Sequence, residues 1–234
     1  MTEPAVVDTA AEEPRTLGQL RRAALLQDAL LFCCAFTAGA LAYAAVRAVL
    51  SLAGDRTEDF WTIGLSDHLI FAGLVAGEVF LLWNNGIRQG IRGHSIGKHR
   101  EGLAVVGVRS DEPTGPVRGL LRGLVVVLLL DLSIAVIPIG LPTVLRRVTP
   151  ESWHWGFVTY LALALVIVPA VMAFERRIAD RIAGTKVIET GNRLSRRRDQ
   201  IVSGLEIVGV AGVLGLAIAY IAFFSPLIRF PHLF

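Results

Sequence analysis

The sequence predicts an all-α fold, a polytopic transmembrane helical bundle of about five spans. Three observations predict it. The chain is 53% hydrophobic and only 18% charged, with a mean hydropathy of +0.58, well above what a water-soluble domain carries. Five predominantly apolar runs stand between polar segments: Leu25 to Leu50, Leu69 to Trp83, Gly119 to Leu145, Trp153 to Phe174 and Ile201 to Phe224. A helix needs about 20 such residues to cross a hydrocarbon core about 30 Å thick. Lysine and arginine, finally, collect in alternate connections rather than evenly along the chain.

The stretch 1–16 is rich in Ala, Glu, Pro and Thr and has too little apolar periodicity to fold, so it is expected to be a disordered tail. It is polar and acidic rather than a basic lead into a short apolar core, so no cleavable signal is expected and the first span serves as the anchor. Cys33 and Cys34 are neighbours in that span, where helical geometry turns their side chains about 100° apart; they are expected to be small buried hydrophobes rather than a disulfide. The second run is short and the third long, with Pro138 and Pro142 expected to kink or end its helix. After the fourth run, Phe174, Ile178 and Ile182 fall on one helical face, the pattern of an interfacial continuation. Two short strands are expected in the connections. Leu103 to Arg109 is closed by the turn-rich Ser110 to Gly115, and Thr185 to Glu189 follows Gly184; the two can pair at the membrane surface. Residues 191–200 form a basic linker to the last span. The chain thus divides into a tail (1–16), a four-span domain (17–190), and a linker with an additional helix (191–234). Small residues four apart, Gly73/Gly77, Gly119/Gly123 and Ala211/Gly215, are candidates for close helix contact.

The tail and the second and fourth connections hold all but Arg47, Arg56, Arg146, Arg147 and Arg229 of the 23 basic residues. Retention of basic loops in the cytoplasm therefore places the N-terminus inside and the C-terminus outside a plasma membrane. The opposite connections carry Asp55, Glu58, Asp59, Asp67 and Glu151 with Trp61, Trp153 and Trp155, as suits an outer aromatic belt. The net charge of +3 is explained by juxtamembrane attraction to anionic lipids, without a nucleic-acid partner.

Arg21 to Asp28, Trp83 to Lys98 with Gly102 to Val106, and Phe174 to Ile188 together resemble the RDD family of membrane proteins, named for one arginine and two aspartates, especially its actinobacterial members. Arg21 to Asp28 resembles the entry to the family's first helix, with Arg21 or Arg22 as the arginine and Asp28 as the first aspartate. Trp83 to Lys98, followed by Gly102 to Val106, resembles the segment after the second helix and contains Gly97 and Lys98. Phe174 to Ile188 resembles the closing motif, which makes Asp180 the second aspartate. The resemblance covers residues from about 17 to 190 and implies a membrane role for which transport is suspected.

An ionisable group at membrane depth is costly and so is a functional candidate. With a rise of 1.5 Å per residue, Asp28 lies about 9 Å inside a helix beginning near Arg22, Glu78 about 9 Å from Asn84, Arg122 about 6 Å below Arg118 and Glu206 about 8 Å below Ile201. Asp131 is deeper, about 20 Å from Arg118. Asp28, Glu78 and Glu206, with Arg122 as counter-charge, are expected to form one layer that could bind a cation or proton. The alternative is that these charges glue helices together in an accessory or assembly subunit, with a second copy or another membrane protein as partner. Asp180 is the expected partner of Arg21 or Arg22, a clamp between the first helix and the closing motif.

No enzyme, cofactor or metal is expected. Gly93 to Lys98 is one residue short of a phosphate loop, and His99 replaces the required Ser or Thr. His94 and His99 lie in a glycine-rich loop without ligands at metal spacing, while His68, His154 and His232 are scattered. No nucleophile, base and orienter can be assembled.

Overall fold

The computed structural model describes residues 15–53, 67–134 and 178–224. Helix α1, Leu17–Leu52, opens on a capping box in which Gln19 N–H donates to Thr16 Oγ1 (3.3 Å) and Thr16 N–H to Gln19 Oε1 (2.8 Å). That cap starts the helix eight residues before the apolar run at Leu25, and its 36 residues extend about 54 Å, more than a bilayer core requires. The first turns are therefore covered by protein. Leu20 and Ala24 form a core with Leu103, Val105 and Val187, whereas the later Leu41, Val46, Val49 and Leu50 are exposed.

Helix α2, Asp67–Leu81, does not stop at Trp83. It continues as a π-helical stretch, Leu82–Arg88, and a last α-turn, α3, Gln89–Arg92. Gly93 at φ 77° ends it, and Ser95 caps the short helix α4, Ile96–Arg100. The expected glycine-rich loop is thus largely helical. Strand β1, Leu103–Gly107, pairs antiparallel with β2, Thr185–Glu189, from Leu103 opposite Glu189 to Gly107 opposite Thr185. Alternation puts Leu103 and Val105 of β1 and Val187 of β2 in the core. Between the strands come α5, Gly115–Ile134, and α6, Ile178–Ala183; α7, Arg196–Phe224, follows the ribbon.

Three helices among the described residues, Leu17–Leu52, His68–Arg92 and Arg196–Ala219, are long and apolar enough to cross a membrane. Their outer faces carry large exposed apolar side chains such as Leu52, Val79, Ile207 and Ile218, a surface suited to lipid rather than water. Helix α5 coincides with the start of the third expected span. The rest of that run, with Pro138 and Pro142, and the fourth run, Trp153 to Phe174, lie outside the described residues, as do residues 1–14.

Close helix approach uses small residues, not always those expected. Gly73 and Gly77 receive the rings of Phe36 and Phe32 from α1. Gly119 and Gly123 of α5 lie against Gly86 and Gly90, so tightly that a Cβ on Gly123 would come 2.9 Å from Gly86 Cα. On α7 the contact face is Gly209 and Gly212, against Cys34 and Thr37, while Gly215 has nothing within 4 Å. The expected Ala211/Gly215 pair is therefore displaced around the helix. Cys33 and Cys34 are half-buried free thiols.

Candidate functional site: a buried polar core beside the ribbon

Asp28 sits two turns beyond Leu20 on α1 and is almost fully buried. Its carboxylate is surrounded by donors from one segment. Oδ1 accepts from Asn84 Nδ2 (2.8 Å) and Gly97 N–H (2.9 Å), and Oδ2 accepts from Ser95 Oγ (2.6 Å). The π-helical stretch makes this possible, because its i→i+5 winding buries Asn84, Asn85 and Gly86 in succession. Asn84 also accepts from Ile96 N–H through Oδ1 (2.9 Å), binding the turn at 95–97 to the end of α2. Ser95 has two tasks: it donates to Asp28 and accepts from Lys98 N–H (3.3 Å) as the cap of α4.

Gly97 lies where no side chain fits, since a Cβ there would run into Ala24 O and come 3.0 Å from Asp28 Oδ1. Gly97→Ala is accordingly expected to lower stability by about 1–3 kcal/mol, the usual cost of overpacking. The check is a fall in melting temperature of the detergent-solubilised chain, with Gly215→Ala, in open space, unchanged.

The second aspartate, Asp180 on α6, is buried between two guanidinium groups. Oδ2 accepts from Arg21 Nη2 (2.8 Å); Oδ1 accepts from Arg122 Nε (2.9 Å), with Arg122 Nη2 at 2.8 Å and Thr185 Oγ1 at 3.2 Å. One carboxylate thus joins α1, α5, α6 and β2. Arg21 makes this contact and is buried; Arg22 is exposed. A cavity of about 70 Å³ lies between the two aspartate clusters, with Arg21, Asp28, Asn85, Lys98 and Arg122 among its walls. It has room for a few waters or one small ion. Lys98 Nζ donates to Gln89 Oε1 (2.7 Å).

The expected single layer of Asp28, Glu78, Arg122 and Glu206 is not how the described side chains are arranged. Asp28 and Arg122 share the cavity, but Arg122 belongs to Asp180. Glu206 is held by Arg100 Nη1 (2.7 Å), whose Nε also reaches Asp199 (2.5 Å) and whose Nη2 reaches Ser203 (3.1 Å), so this group fastens α4 to α7. Glu78 is half-buried on α2 and is not a wall of the cavity. Asp131 lies on α5, its side chain outside the described residues. The first turns of α1, Leu20 and Ala24, are packed on the ribbon.

Asn84, Asn85 and Ser95 went unnoticed in the sequence, although they supply much of the polar core. The available signal was an Asn-Asn pair closing an apolar run, followed by a serine three residues before Lys98, the spacing of a helix cap. Among the described residues no group of His, Cys, Asp and Glu could hold a metal ion.

Fold and site together define a helical chain with membrane-spanning character, closed at one end by a two-stranded ribbon over a buried ion-pair network. No family model, no curated protein and no solved structure matches it.

Proposed function

We propose that the chain is a multi-pass plasma-membrane protein of the RDD type whose ribbon-end polar core locks its helices together. In this reading it serves as a non-catalytic accessory or assembly subunit of a larger membrane complex. The observation that carries it is that both buried aspartates are already supplied with donors: Asp28 with three, Asp180 with two guanidinium groups. A cation reaching Asp28 would displace N–H and O–H dipoles whose positive ends already face the carboxylate. It would do so beside Arg21, Lys98 and Arg122, which repel it.

The ribbon supports a count of five spans. Gly107 pairs with Thr185, so both ends of the chain between them lie on one side, as a pair of crossings between residues 107 and 185 requires. Helices α1 and α2 make the other such pair, and α7 is the fifth crossing. Basic-loop retention then puts the ribbon in the cytoplasm, the N-terminus with it and the C-terminus outside.

Passage of a small solute is the second reading, favoured by the cavity that Asp28 and Arg122 share. Liposomes containing the purified full chain separate the two. Proton or cation flux at the level of empty liposomes is expected; flux that Asp28→Asn or Glu78→Gln abolishes would overturn the locking role.

A further inference from the structure

A second and larger recess, of about 550 Å³, lies where the end of α3, the turn before α4 and the start of α7 meet. Its charged walls are all cationic: Arg88, Arg92 and Arg198, with His94 and His99 beside them and no carboxylate. Arg88 is fixed by donating from Nη1 to His94 O (2.8 Å). Among the described residues, neither Arg92 nor Arg198 has a carboxylate partner. The imidazoles are stacked, with centroids 4.1 Å apart, and the Nδ1 of each is buried without a hydrogen-bond partner.

Burial, then His99 and Arg88, push the His94 pKa down to about 4; burial, Arg88, Arg198 and Arg92 lower that of His99 as well. Both rings are therefore neutral at pH 7 and can still offer an N–H. The positive field that disfavours a proton on them favours an anion in the recess. The remaining walls are apolar. Ile201 and Val202 belong to the first turns of a helix apolar enough to cross a membrane, and Leu194 precedes it. Three unsatisfied or half-satisfied guanidinium groups next to a greasy wall match a phosphate that carries acyl chains better than one free in water.

We propose that this recess binds the phosphate of an anionic lipid headgroup. The recess is separate from the aspartate core, and its occupation does not depend on whether the chain conducts.

The test titrates the purified full chain in detergent with dioctanoyl phosphatidic acid and, in parallel, with dioctanoyl phosphatidylcholine, glycerol 3-phosphate and inorganic phosphate. Saturable binding of phosphatidic acid is expected. Arg92→Gln/Arg198→Gln should weaken it by about 25-fold, taking about fivefold for each arginine near an anionic group. Arg193→Gln/Arg197→Gln, which removes the same charge from exposed positions outside the recess, should leave it within about twofold. Arg92 and Arg198 are exposed and without ion pairs, so melting temperatures should match wild type; should the double variant unfold, Arg198→Gln alone is read instead. Equal binding by glycerol 3-phosphate or inorganic phosphate, lost in the same variant, keeps a phosphate site and makes its occupant soluble. Equal weakening in both double variants, equal binding of phosphatidylcholine, or no saturable binding overturns the proposal.

Discussion

Asp180→Ala is expected to destabilise the chain by about 3–5 kcal/mol, because it removes the buried carboxylate that the Arg21 and Arg122 guanidinium groups both face. Arg21 and Arg122 are each less than a tenth exposed, so water cannot readily replace the lost carboxylate. The effect should spread from the site. α1, α5, α6 and β2 all meet at this residue, and loosening it should free the ribbon from Leu20 and Ala24. Melting of the purified protein in detergent measures the loss, and protease sensitivity between 100 and 115 reports the release of the ribbon. Arg22→Ala, at an exposed position one residue from the clamp, should change neither.

Asp28→Ala has the second largest expected effect. It leaves Gly97 N–H and Ser95 O–H without their acceptor and removes one from Asn84, at about 1–3 kcal/mol for each buried donor left unmet. Asp28→Asn should cost much less. Its remaining oxygen can still face Asn84 and Gly97, and its NH2 can donate to Ser95 Oγ. Hydrogen exchange distinguishes the two: the Gly97 amide should lose protection in the alanine variant and keep most of it in the asparagine variant.

Elements whose signal is local were legible in the sequence. The short run from Leu103 to Arg109 closed by the Ser110 to Gly115 turn residues marked the first strand, and the run from Thr185 to Glu189 after Gly184 marked the second. Apolar run length found the long helices α1, α2, α5 and α7, and Asp180 was expected to meet Arg21 or Arg22, of which Arg21 makes the contact. What depended on distant partners was not legible. Glu206 reads as part of a layer with Asp28, Glu78 and Arg122 because Arg100, which holds it, lies 106 residues away. The π-helical winding after Leu81 is invisible to a count of apolar residues, so Asn84 and Asn85 read as the end of a span instead of the anchor for Asp28. That the ribbon covers the first turns of α1 is a tertiary contact that helical rise alone cannot supply.

The most direct measurement removes the whole charge cluster at once, with Arg21→Met, Arg122→Met and Asp180→Leu combined in the full chain. If the cluster only holds helices together, apolar side chains of similar volume should replace it, and the triple variant should regain most of the stability that Asp180→Ala loses. A triple variant as unstable as the single one would contradict the locking role and show that these charges are required for something other than neutralising each other.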